Sequence, residues 1–154
     1  EIAQCLVGSE MCIRDSKAGY QLALASHQLP VRPEYCVEVK NVSENNEEVI
    51  RGLLMQKDRP TAILVSDDIL AVSLERVCLE NHLAIPEDLS IISFNNSLFA
   101  RLTSPQLTSI DIGAGQLGSE AASQIINHIE NPNLLATKII VPHHLIERDS
   151  CCKI

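Results

Sequence analysis

Two consecutive carboxylates, Asp67 and Asp68, stand where a run of apolar residues gives way to a helical pattern. Paired acids can cleave a glycosidic bond when they flank it from opposite sides. Neighbouring residues at a helix start point apart, and no partner acid stands opposite them in the pattern, so binding suits them better than catalysis. Asp68 is expected to cap the helix by accepting from free backbone N–H groups. That leaves the Asp67 carboxylate to accept hydrogen bonds from sugar hydroxyls. Asn95 and Asn96 follow the next apolar run. An amide carries donor and acceptor together, which suits the same polyhydroxyl ligand; it suits equally well a turn held by Asn side chains.

Other chemistry is poorly served. Gly113, Gly115 and Gly118 match G-x-G-x-x-G ahead of a helical pattern. A dinucleotide site also requires an acid at the end of the following strand, and that position falls at Pro142 or His143. The preceding segment over 107–110 lacks the apolar run of a buried first strand, so no nucleotide cofactor is expected, and the glycines read instead as a loosened crossover. His143 and His144 would point to opposite faces of a strand and cannot easily share a metal ion. The six cysteines (Cys5, Cys12, Cys36, Cys78, Cys151 and Cys152) contain no C-x-x-C pair and no zinc spacing. Cys78 falls on an apolar helical stripe and Cys36 within a strand, where a thiol acts as a small hydrophobe. This usage implies a reducing, cytoplasmic compartment. No Ser-His-Asp or Cys-His arrangement can be assembled.

The elements that must position these residues alternate. In 154 residues, 45% are hydrophobic, 21% are charged and the net charge is −8. Those values describe one globular α/β domain with an aliphatic core, and the 12 scattered basic residues form no stripe that could grip nucleic acid. No apolar run is long enough to span a membrane. Helical spacing relates Ala18, Leu22 and Ala25, with Tyr20 and Leu24 beside them, and a short strand is expected over 35–39. Asn45 and Glu48 are placed as a capping box, and Ile50, Leu53 and Leu54 form the buried face of that helix. Residues 61–65 are a continuous apolar run, the mark of a parallel strand covered on both faces. Leu70, Leu74, Val77 and Cys78 stripe the next helix. Strands follow over 89–94 and 107–110, then a helix marked by Leu117, Ala121, Ile125 and Ile129, then short strands over 138–141 and 145–148. Single helices between strands imply parallel βαβ units. In such sheets ligands gather at the carboxyl ends of the strands, which singles out residues 41–43, 66–68 and 95–97 as one rim.

The string LVGSEMCIRD over residues 6–15 fits no structural period and resembles the translation of a transposon-end sequencing adapter. On that reading residues 1–16 are a non-native segment carrying no functional information.

Five ordered strings carry a family resemblance: PTAILVSDDILA over 60–71, AIPEDLSIISFN over 84–95, PQLTSI over 105–110, Leu117-Gly118, and LIERDS over 145–150. Together they resemble the effector-binding part of the lactose-repressor (LacI/GalR) family of transcription regulators, and within it the maltose-operon repressors of Gram-positive bacteria. The resemblance implies an incomplete α/β fold of the type I periplasmic-binding-protein kind, a parallel sheet flanked by helices. It implies a distal effector-binding subdomain over 17–110 lacking its first strand, a remnant of a proximal subdomain over 111–150, and a tail over 151–154. It further implies a homodimer that binds a sugar effector without cofactor, metal or membrane, and that reaches operator DNA through an N-terminal helix-turn-helix domain outside this chain. Asp67 and Asn95 match positions that contact effector, although the family often has Asp where Asn95 stands. Ser16, three residues before Gly19, occupies the place of an effector-binding Arg, and Val42 replaces an aromatic residue after the second strand. A solute receptor of the same fold and a nucleotide-dependent enzyme are the alternatives to a repressor module.

Overall fold

The computed structural model describes residues 2–6, 10–39 and 45–153. One six-stranded sheet runs through it in the order β2-β1-β3-β4-β5-β6. These strands are β1 (Ile2–Leu6), β2 (Cys36–Glu38), β3 (Ala62–Val65), β4 (Ser90–Phe94), β5 (Thr108–Asp111) and β6 (His144–Ile146). The first five are parallel; β6 runs antiparallel to β5, with His144 opposite Asp111. Helices α1 (Glu10–Ser26), α2 (Asn45–Leu54), α3 (Asp68–Glu80), α4 (Phe99–Leu102) and α5 (Ala114–Glu130) join them. No described helix is long and apolar enough to cross a membrane.

The expectation that the sheet lacks its first strand is corrected. Residues 2–6 pair in parallel with β2 on one side and β3 on the other, in register Gln4 with Cys36 and Gln4 with Leu64. The physical reason is visible in the residues: apart from Gln4, IAQCL is apolar as a central strand needs, and only Leu6 of it belongs to the adapter-like string. Likewise α1 begins at Glu10, within that string.

The core lies on one face of the sheet. Ile50, Leu53 and Leu54 of α2 and Leu70, Leu74, Val77 and Cys78 of α3 are buried against Ile63, Val65 and Ile91. The expected faces of α2 and α3 are therefore the ones that pack. Burial pushes the Cys78 thiol up to about 12, which keeps it protonated and inert. Ion pairs from Arg51 to Glu80 at 2.7 Å and from Arg76 to Glu47 fasten α2 to α3 from outside; exposed pairs of this kind contribute about 1 kcal/mol or less.

The opposite face is thinly covered. Alternation along a strand turns Leu64, Ile92 and Phe94 to this side, where they remain only half-buried under α1. Among the described side chains of α1, Tyr20 and Leu24, four residues apart, are buried, whereas Leu22 is 72% exposed. This corrects the expected stripe through Ala18, Leu22 and Ala25: the pair set beside it faces the sheet. Between α1 and the sheet lies a cavity of about 580 Å³, lined by Ser16, Tyr20, Leu24, Leu64, Ile92 and Phe94 among others.

Beyond β5 the chain leaves the sheet. Helix α5 buries no residue, and Leu117, Ile125 and Ile129 are exposed along it. No strand forms over 138–141. Residues 144–151 then return, which differs from the expected assignment of all of 111–150 to a second unit. Ser150 is fully buried between β4 and β5: it accepts from Ile91 N at 2.8 Å, and its hydroxyl accepts from Thr108 N at 2.8 Å and donates to Ile91 O at 2.6 Å. Backbone groups at the start of two parallel strands need partners, and the returning chain supplies them.

Glu75 of α3 stands against Thr103 at the end of α4. Burial raises its carboxyl from the ordinary 4.5 to about 7, opposed in part by the Thr103 hydroxyl. The folded chain therefore holds this proton more tightly than the unfolded chain, and the Glu75 contribution to stability falls as pH rises from about 4.5 through about 7. Glu75→Gln is expected to remove this slope and to unfold at higher denaturant than the parent at pH 8, measured by urea titrations between pH 5 and pH 8.

Candidate functional site

The rim at the carboxyl ends of β3, β4 and β5 is where the chain concentrates polar side chains. Ala62 pairs with Ser90 and Ile92 with Thr108. Continuing those registers brings Asp67, Asn95 and Asp111 level with one another on neighbouring strands. Asn95 N donates to Ile110 O at 2.9 Å, which extends the β4–β5 ladder to the rim itself.

The expected capping role passes from one aspartate to the other. Asp67, not Asp68, caps α3: it is extended (φ −157°, ψ 162°) and its Oδ1 accepts from Leu70 N at 2.8 Å. A cap must precede the helical dihedrals, and Asp68 is already inside them. Asp68 is instead 1% exposed. Its Oδ1 accepts from the Ser93 hydroxyl at 2.6 Å and the Ser109 hydroxyl at 2.8 Å, and its Oδ2 accepts from Ser97 N at 2.6 Å. One carboxylate thus joins the start of α3 to β4, to β5 and to the turn after β4. Asp67 keeps Oδ2 turned away from the cap, 3.4 Å from the Ser66 hydroxyl. With one acid capping and the other buried, the pair cannot flank a bond.

Asn95 and Asn96 form a left-handed turn, with φ of 95° and 45°. Asn tolerates this region better than most residues. Asn95 is exposed at the rim, while Asn96 is half-buried and holds the turn. Asn96 N donates to Ser109 Oγ at 3.0 Å, its amide donates to Asp111 Oδ2 at 3.0 Å, and its Oδ1 accepts from Arg148 Nη2 at 2.5 Å. Asp111 Oδ1 accepts from Gly113 N at 2.8 Å. The Gly113 N–H, with the Asn96 amide second, holds the Asp111 carboxyl below its usual range.

Of the residues picked out by sequence, Asp67 and Asn95 share the rim. Ser16 is exposed on α1 and lines the apolar cavity. Val42 lies outside the described residues, as does the whole of the rim segment over 41–43. Sequence reading passed over Asp111 and Arg148, which meet the rim turn through Asn96. The register of β5 could have found Asp111; no local signal marks Arg148. Among the described residues no group of three or more His, Cys, Asp or Glu side chains is gathered as for a metal ion. Of the G-x-G-x-x-G glycines, only Gly113 is left-handed (φ 64°), and a Cβ at Gly115 or Gly118 would meet nothing within 4 Å. Those two allow no close approach in this structure.

With fold and rim in view, the comparisons define the class. A model of the periplasmic binding protein-like domain matches residues 2–151, so the chain belongs to that family. Its relatives are transcription regulators. It is 35% identical over 136 residues to the NTD biosynthesis operon regulator NtdR of Bacillus subtilis, covering 87% of this chain and 41% of that protein. A solved LacI transcriptional regulator from Bacillus cereus subsp. cytotoxis shares 32% identity at a TM-score of 0.93, over 98% of this chain and 54% of that one. The CelR–cellobiose complex shares the fold at a TM-score of 0.89 and 19% identity, over 97% of this chain and 46% of that one. This chain thus spans about half or less of the proteins it matches.

Asp68 is expected to dominate the stability of the rim. Asp68→Ala strands two hydroxyls and one backbone N–H, at a cost of about 3 kcal/mol or more. Asp67→Ala removes only a cap, at about 1 kcal/mol. Equilibrium denaturation of the two variants checks the order, and a larger loss from Asp67→Ala would contradict it.

Proposed function

We propose that this chain is the effector-binding part of a LacI-type transcriptional repressor, taking a sugar at the rim formed by Asp67 and Asn95. Ser16 and the aromatic-replacing Val42 complete the proposed effector contacts. Maltose or a related carbohydrate is the effector that the likeness to maltose-operon repressors favours. The whole protein is proposed to work as a cytoplasmic homodimer that contacts operator DNA through a helix-turn-helix domain outside this chain. The observation that carries the reading is the level placement of Asp67 and Asn95 at neighbouring strand ends. Its support is the set of regulators among the relatives and the disaccharide complex on the same fold. Binding without chemistry is the proposed activity, because the aspartates are committed to a cap and to the interior.

Calorimetric titration of the chain with maltose, and separately with NAD, tests this. Saturable heat with maltose and none with NAD is expected. Asp67→Asn retains a capping oxygen but loses the charge, so it should weaken maltose about tenfold with little change in stability. Indifference to sugar together with turnover of NAD would sink the reading. We also propose that the adapter-like string over residues 6–15 is non-native. Amplifying the locus from genomic DNA is expected to return other codons there, and an unbroken frame through LVGSEMCIRD would refute it.

A further inference from the structure

The rim turn and the excursion that carries α5 meet at one side chain. Residues 112–143 leave the sheet at Asp111 and come back at β6. Exit and return run against each other: a Cβ at Gly113 would lie 3.1 Å from Val141 Cγ1 and 3.3 Å from the Pro142 carbonyl oxygen. Asn96 reaches both. Its amide N–H donates to Asp111, whose other carboxylate oxygen holds Gly113 N at the base of α5. Its carbonyl oxygen accepts from Arg148 on the returning chain, and Arg148 Nη1 also donates to Leu107 O at 2.6 Å. The backbone of the same residue is anchored through Ser109 Oγ, which in turn donates to Asp68.

We propose that Asn96 is a positioning residue that ties the rim turn to both ends of the excursion, so that a ligand engaging the Asn95 turn is felt at the base of α5. The geometry suits this task. Two consecutive left-handed residues are a strained arrangement that persists only where surrounding bonds enforce it. An amide is the side chain that can donate to a carboxylate and accept from a guanidinium at once. Helix α5, with no buried residue, has little packing of its own to fix where it starts. Hydrogen bonds therefore help to set the position of its base, and the side-chain bonds that tie the rim turn to Asp111 at the exit and to Arg148 at the return both come from Asn96. The ligand half of this proposal rests on the rim being the effector site; the mechanical half stands without it.

Hydrogen–deuterium exchange on the full chain separates the two halves. Asn96→Gly deletes the side chain while accepting the left-handed backbone. It should speed exchange about tenfold in both 108–115 and 144–150, leaving α2 and α3 unchanged. Asn96→Asp keeps an acceptor for Arg148 and loses the donor to Asp111, so only 108–115 should loosen. Loosening confined to 94–98, spread evenly over the sheet, or equal in both segments for Asn96→Asp would overturn the link. With maltose as probe, the parent should gain protection at 94–97 and at 111–113 together, and Asn96→Gly at 94–97 alone. Protection of the parent at 94–97 that stops short of 111–113 would also overturn it. Maltose that protects nothing in the parent would count against the effector site, while the exchange of the variants judges Asn96 separately.

Discussion

A single buried carboxylate organises this end of the molecule. Asp68 sits at the first helical position of α3 and is 1% exposed. A charge so placed is costly unless every oxygen finds donors. Here the donors come from three places: hydroxyls on β4 and β5, and the backbone N–H of Ser97 in the turn after β4. Hydrogen bonds to an ionised group are stronger than neutral ones. The requirement to satisfy Asp68 therefore fixes where α3 begins, how β4 and β5 end, and how the chain must turn between them.

The left-handed turn at Asn95 and Asn96 follows from that constraint. With Ser97 N drawn inward to Asp68, the two preceding residues must reverse the chain within a very short span, and both take positive φ. Asn96 turns its amide toward Asp111 and Arg148, and Asn95 is left exposed at the rim. The side chain available to a ligand and the side chain that holds the turn are thus neighbours with opposite duties. The same division holds one strand away, where Asp67 caps α3 from the rim and Asp68 supports it from within.

The packing is lopsided for an equally simple reason. Helices α2 and α3 seal one face of the sheet with Leu, Ile and Val, while α1 brings Tyr20 and Leu24 to the other and leaves a cavity over Leu64, Ile92 and Phe94. The excursion bearing α5 adds nothing to either face. Its return is nonetheless integral, because Arg148 and Ser150 satisfy the backbone carbonyls of Leu107, just before β5, and Ile91 in β4, which lie 41 and 59 residues away along the chain.

Local pattern determined much of this. The apolar run over 61–65, the stripe of Leu70, Leu74, Val77 and Cys78, and the face of Ile50, Leu53 and Leu54 each state their own secondary structure and buried side, because periodicity is a short-range property. The same reasoning placed Asp67 and Asn95 at strand ends on one rim. Tertiary structure alone decided which aspartate caps and which is buried, since both can cap and only the location of Ser93, Ser109 and Ser97 separates them. It decided that Ile2–Leu6 forms a central strand, that Tyr20 and Leu24 are the side of α1 that faces the sheet, and that Arg148 belongs with Asn96. Those outcomes depend on partners tens of residues distant, and distance along the chain carries no periodic signal.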